Sequence, residues 1–157
     1  MKKWPWFILS IVIICLDQIT KYWAFRTLIP YQPEAIVPML NFTLAYNTGA
    51  AFSFLSGTGD WHRWLFTGFS GVMSIVLVVW IIRLPQSARL QSIALSLILA
   101  GAVGNLIDRI LLGHVIDFID VYYTHYHWPS FNIADSAICG GAFLLLIDMF
   151  KESKKES

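Results

Sequence analysis

Two aspartates, Asp117 and Asp135, stand eighteen positions apart, each at a junction where one apolar segment ends and the next begins. They bound a stretch that reads His-Val-Ile-Asp-Phe-Ile-Asp over 114–120, is aromatic from Tyr122 to Trp128, and closes with Phe-Asn-Ile-Ala-Asp over 131–135. It holds three of the ten acidic residues of the chain. Two carboxylates brought face to face cannot both ionise easily, because repulsion and a low dielectric raise one apparent pKa and leave a shared proton. Such a pair can activate a water as base and protonate a leaving amide nitrogen as acid, which is the chemistry of aspartic proteases. The same residues also admit a purely structural assignment, with Asp135 capping the helix it opens and Asp117 paired with Arg109. Residue type and spacing leave both assignments open. They do not choose Asp117 over Asp120 as the partner of Asp135 either, although Asp120 is expected on a solvated rim.

The elements that must position these groups are apolar. Of 157 residues, 57% are hydrophobic and 13% charged, whereas about a quarter of a soluble domain is charged. The chain therefore reads as a single integral membrane domain over 1–157, an all-α membrane protein with four crossings at about 6–24, 64–82, 90–111 and 133–150. Met1-Lys2-Lys3 and the apolar run after it resemble a leader. No small-x-small site follows, and Ile14 is too bulky to precede a lipoprotein-type cleavage at Cys15, so the run is read as an uncleaved first helix. Lys2, Lys3, Arg83, Arg89, Lys151, Lys154 and Lys155 place both termini in the cytoplasm and segments 26–62 and 112–132 outside. At about 1.5 Å per residue, Asp108 lies roughly 27 Å beyond Leu90, near the outer interface.

Within 26–62, Asn41 to Tyr46 alternates polar and apolar, and Ala50 to Phe54 follows a turn signal at Asn47-Thr48-Gly49. This predicts a small extracytoplasmic β-hairpin or sheet between helices 1 and 2, with Phe42, Leu44 and Phe52 towards lipid or substrate. The pairs Ala100/Gly104 and Ala137/Gly141 predict close helix packing.

Asp17, Thr20 and Lys21 fall at i, i+3 and i+4 and share one face of the first helix. A neutralising Asp17–Lys21 pair and a direct catalytic role both fit that spacing. His114, His125 and His127 lie near the acidic stretch, but without an HExxH helix they make a poor metal site, and no metal or other cofactor is expected. Cys15 and Cys139 lack ligand spacing and read as buried spectators. The basic residues are scattered, which argues against nucleic-acid binding. Ion transport is disfavoured because Asp108, Asp117 and Asp135 gather at one membrane face instead of the midplane.

Five segments, in order and spacing, resemble the bacterial lipoprotein signal peptidase family (signal peptidase II): Asp17-Gln-Ile-Thr-Lys21, Asn47-Thr-Gly-Ala-Ala-Phe52, Gly101-Ala-Val-Gly-Asn105-Leu-Ile-Asp108-Arg109, Val115-Ile-Asp117-Phe118 and Phe131-Asn132-Ile-Ala-Asp135. Ala102 stands where that glycine-rich motif often has another Gly. The resemblance implies that Asp117 and Asp135 are the catalytic pair of a membrane-embedded aspartic endopeptidase. It also implies a substrate, a diacylglyceryl-modified prolipoprotein cut just before its lipidated cysteine, and contact with membrane lipids. The implied location is the bacterial cytoplasmic (inner) membrane. Asn47, Asn105 and Asn132 would offer neutral amides to the pair or the substrate, and Asp108 and Arg109 would fix the rim of the pocket; for each, a structural hydrogen bond is an equal reading.

Overall fold

The computed structural model describes residues 3–49 and 60–156. Four helices, α1 (Trp4–Thr27), α2 (Asp60–Arg83), α3 (Arg89–Leu111) and α4 (Ile133–Glu156), are joined by a four-stranded sheet made of β1 (Glu34–Val37), β2 (Leu40–Asn47), β3 (Val115–Tyr123) and β4 (Tyr126–His127). Each helix contains a stretch long and apolar enough to cross a membrane: Trp4–Thr27, Arg63–Arg83, Arg89–Leu111 and Ile133–Lys151. At about 1.5 Å per residue these lengths match a hydrocarbon core of roughly 30 Å. The expected crossings lie within these helices, short by a few residues at some ends because helices continue into the interface, where water satisfies the last turn.

α3 is the central element and packs on the other three helices. Its small residues permit this. A Cβ at Gly101 would come within 2.2 Å of the Ala134 carbonyl oxygen, and one at Gly141 within 2.5 Å of the Ala94 carbonyl oxygen, so the α3 and α4 backbones can approach only where side chains are absent. Towards the end of the bundle that carries the α2–α3 turn the contact is apolar, with Leu77, Ile81 and Leu84 against Leu95 and Leu99.

The sheet has the order β1-β2-β3-β4 and is antiparallel throughout. Only half of it lies between helices 1 and 2. The partners of β2 are β1 and β3, the latter from the α3–α4 connection, with Asn41 opposite Asp120 and Ala45 opposite Asp117. Long-range pairing of this kind has no local sequence signature. The strand expected over Ala50 to Phe54, with Phe52, lies outside the described residues. Leu44 is buried and Phe42 partly buried: they pack with Ala24 and Leu28 of α1 and with Ile116 and Phe118 of β3, which seats the sheet on the C-terminal end of α1. Cys15 and Cys139 are exposed on helix surfaces instead of buried, because in a membrane protein an apolar position can face outwards as well as inwards.

Candidate active site

Asn132 is the joint of the site. It stands one residue before α4, where a short polar side chain can accept from the free N–H groups of the first turn. Its Oδ1 accepts from the Asp135 N–H at 2.9 Å. Its Nδ2 donates to Asp117 Oδ1 at 2.7 Å. One side chain thus holds the backbone of one aspartate and the carboxylate of the other. The cap of α4 is therefore Asn132, and Asp17 assists it by accepting from the Ala134 N–H at 2.9 Å. This leaves the Asp135 carboxylate to another partner: Asn105 Nδ2 donates to its Oδ1 at 2.8 Å. Asn47 Nδ2 donates to Asp117 Oδ2 at 3.0 Å. Each aspartate is held by neutral amides.

Asp117 is 2% exposed. Burial above all, and then the negative charge of Asp135, push its carboxyl up to about 7; the bonds from Asn47 and Asn132 offset part of the rise. The carboxyl is thus poised to keep or lose its proton near neutrality. Asp135 faces a cavity of about 330 Å³ whose wall includes Phe66, Phe69 and Met73 of α2 with Asn105 and Arg109 of α3. A larger hollow of about 450 Å³, between Tyr22, Phe25 and Leu112, contains neither aspartate.

Behind the pair lies a buried ionic cluster. Lys21 Nζ is 2.9 Å from Asp17 Oδ2, 2.9 Å from Asp108 Oδ2 and 2.9 Å from Asn105 Oδ1. The lysine therefore orients the asparagine that holds Asp135, and its place behind that asparagine favours the structural reading of the Asp17–Lys21 face. A buried charge is tolerable when its bonds are all made, as here. Gly104 is required for this packing, since a Cβ there would lie 2.6 Å from Asp17 Oδ2. Asp108 also accepts from the Ile116 N–H at 3.1 Å, locking the start of β3 to α3. Arg109 donates to the Gly49 carbonyl at 2.9 Å and to the Asn105 carbonyl at 3.3 Å. Asp108 and Arg109 are both buried, and Arg109 makes these bonds to carbonyl oxygens and not to Asp117.

Asp120 is not on a solvated rim. It is 4% exposed and accepts from Asn41 Nδ2 at 3.2 Å and Thr43 Oγ1 at 3.0 Å, with His127 Nδ1 at 2.8 Å from its other oxygen. The reason is tertiary: β2 pairs with β3 and brings Asn41 opposite it. Gln18 is a member of the cluster that its residue type did not mark; its Nε2 reaches Asp108 Oδ1 at 2.9 Å. Its position next to Asp17 was the one available signal. Among the described residues no three His, Cys, Asp or Glu side chains converge as metal ligands.

A four-helix membrane protein with one buried aspartate, Asp117, and one that opens on a cavity, Asp135, near one end of the bundle is the class that fold and site define. The sequence profile of the signal peptidase (SPase) II family matches residues 9–151. The lipoprotein signal peptidase of Acinetobacter baylyi is 52% identical over 145 residues, covering 92% of this chain and 81% of its own. That of Cellvibrio japonicus is 47% identical over 156 residues, covering 99% and 92%. A bacterial membrane enzyme solved by the in meso method at 2.3 Å resolution superposes with a TM-score of 0.87 at 34% identity, covering 98% of this chain and 92% of that one. The chain belongs to the signal peptidase II family, a family of aspartic peptidases. The resemblance read from the five motifs and the four-helix architecture are both borne out.

Proposed function

We propose that Asp117 and Asp135 are the catalytic pair with which this chain removes the signal peptide from diacylglyceryl-modified prolipoproteins, cutting just before the lipidated cysteine. The observation that carries this reading is the Asn132 side chain, which couples the α4 start to the Asp117 carboxylate at 2.7 Å and so holds both acids in one frame. With one proton on the pair, the ionised member takes a proton from water and the resulting hydroxide attacks the scissile carbonyl carbon. The protonated member donates to the carbonyl oxygen. Collapse of the gem-diol then breaks the C–N bond as a proton passes to the leaving nitrogen, and the pair returns to its starting protonation. Asp117, pushed up to about 7, is suited to carry the shared proton near neutrality. Asn47, Asn105 and Asn132 orient the acids; Asp17, Lys21, Asp108 and Arg109 hold those asparagines and the strand bearing Asp117.

In this reading the whole chain is a single membrane domain in the bacterial cytoplasmic membrane, with both termini inside and the sheet on the outer side among lipid headgroups. The Lys/Arg bias supports that orientation. A substrate whose diacylglyceryl group lies in the outer leaflet would then present its scissile bond at the depth of the pair. The test is cleavage by purified protein in detergent of a diacylglyceryl-modified prolipoprotein beside its unmodified form. Only the lipidated precursor is expected to shorten efficiently. Equal rates on the two would count against the substrate assignment and favour a general membrane protease. For topology, a cysteine at Thr124 should react with an impermeant outside reagent and one at Ser87 should not; the reverse pattern would invert the orientation.

A further inference from the structure

The outer half of α2 forms one wall of the catalytic cavity, through Phe66, Phe69 and Met73, yet it is weakly held. From Arg63 to Met73 no residue is fully buried, whereas the inner half is anchored by Leu77 and Ile81 on α3. Cβ atoms built at Gly68 and Gly71 meet nothing within 4 Å. The Thr67 hydroxyl is shut off from the surface without a hydrogen-bond partner among the described residues. Among the described residues, apolar packing therefore does little to fix where this wall stands.

Arg63 does hold it. Its Nε donates to the Arg109 carbonyl at 3.1 Å and its Nη2 to the Ile110 carbonyl at 2.9 Å. These carbonyls belong to the last turn of α3, where that of Arg109 also accepts from the Gly113 N–H at 3.2 Å; the turn carries the negative end of the helix dipole, so a guanidinium is well matched to it. The chain turns there through Gly113 at φ +83°, and a Cβ on that glycine would lie 3.3 Å from the Arg63 guanidinium, so the close fit favours glycine twice over. One turn along α2, Phe66 lies under the Arg109 guanidinium at 5.7 Å. Arg109 in turn holds the Gly49 carbonyl, and the α3 end is locked to β3 through Asp108 and Ile116.

We propose that Arg63 is a positioning residue for the peptidase reaction: by binding the end of α3 it pins the outer half of α2 and sets the width of the cavity in which a signal-peptide helix lies beside Asp135. The inference rests on the catalytic reading of Asp117 and Asp135. A helix with side chains is about 10–12 Å across, so a wall displaced by 1 Å or so changes where the scissile bond stands relative to the acids. A misplacement of that size can cost about 100-fold in rate.

The experiment has two readouts on full-length protein. First, spin labels at the exposed positions Leu65 and Leu111, in a Cys15→Ala, Cys139→Ala background, report the separation of the two outer helix ends. Arg63→Gln should broaden that distance distribution, and Ile81→Ala, at the inner anchor, should not. Second, Arg63→Gln should lower kcat/KM on lipidated prolipoprotein about 10- to 100-fold at near-normal Tm, with Arg63→Lys in between, while Ile81→Ala, at a buried anchor that does not line the cavity, should lower Tm and leave kcat/KM of the folded protein near normal. An unchanged distance distribution overturns the proposal. So does a broadened one with unchanged kcat/KM, which would leave Arg63 a cap of α3 alone. If Asp117→Asn or Asp135→Asn proved active, the catalytic reading would fall separately, and the spin-label distances would be unaffected.

Discussion

Asp117 and Asp120 sit three residues apart on β3 and are almost equally shut off from the surface, yet their surroundings drive them in opposite directions. Burial raises both. At Asp117 the charge of Asp135 adds to it, and the two amides offset only part, so the carboxyl reaches about 7. At Asp120, His127, Asn41 and Thr43 overcome burial and hold the carboxyl below its ordinary value. One partner set includes a second acid and the other includes a base. The lesson is that a buried carboxylate is made reactive by what faces it, since hydrogen bonds to the charged form can cancel desolvation and a like charge cannot.

The sharpest way to break this comparison is to remove charge at each acid. Asp117→Asn and Asp135→Asn should each cost about 1,000-fold or more in kcat at matched levels of folded protein, and combining them should add little, because the acids act as a unit. Near-normal cleavage by either single variant would refute the pair. Asp120→Asn should keep turnover within about threefold while losing about 1–3 kcal/mol of stability through its buried bonds; an inactive but well-folded Asp120→Asn would move the partner of Asp135 to Asp120.

pH separates the two acids by sign. Asp117 is raised in the folded state, so its stabilising contribution is complete below the unfolded value near 3.8 and is lost as pH rises through about 7. Asp117→Asn should therefore raise Tm at pH 8, by something on the order of 5 °C, and have little effect at pH 4. Over the same range wild-type kcat should fall as pH rises past about 7 and both acids ionise. Asp120 is lowered, so its contribution is present above about 3.8 and lost as pH falls. The penalty of Asp120→Asn should shrink in acid, and thermal melts from pH 3 to 8 will show whether the two variants diverge.

A smaller contrast sets Gly104 against Gly68. Gly104→Ala drives a methyl against Asp17 and should cost about 1–3 kcal/mol with reduced cleavage, as the cluster behind Asn105 shifts. Gly68→Ala meets open space and should be neutral or stabilising by up to about 1 kcal/mol. Equal effects in melting and cleavage assays would remove the close α1–α3 approach as the reason for Gly104.

What the amino-acid sequence by itself determined is what depends on local runs and on spacing: four crossings from long apolar segments, and the strand over Asn41 to Tyr46 from its alternation. Its motifs also marked Asp117, Asp135, three asparagines and Asp17, Lys21, Asp108 and Arg109 as one set, because each has a polar side chain in or beside a segment where polar groups are expensive. Which of them touch was decided by tertiary structure alone. Helix four could be seen to start near Ile133, but that Asn132 caps it and at the same time holds Asp117 depends on β3 arriving from the far end of α3. Asp120 is a rim residue to local reading and a buried one once β2 pairs across from it, and Phe42 and Leu44 turn inward for the same reason. Gln18 and Arg63 carried no signal of their own, since their bonds cross to Asp108 and to the α3 carbonyls over gaps of 90 and 46 residues. Contacts over such separations are set by how the whole chain packs, and no window of local sequence contains them.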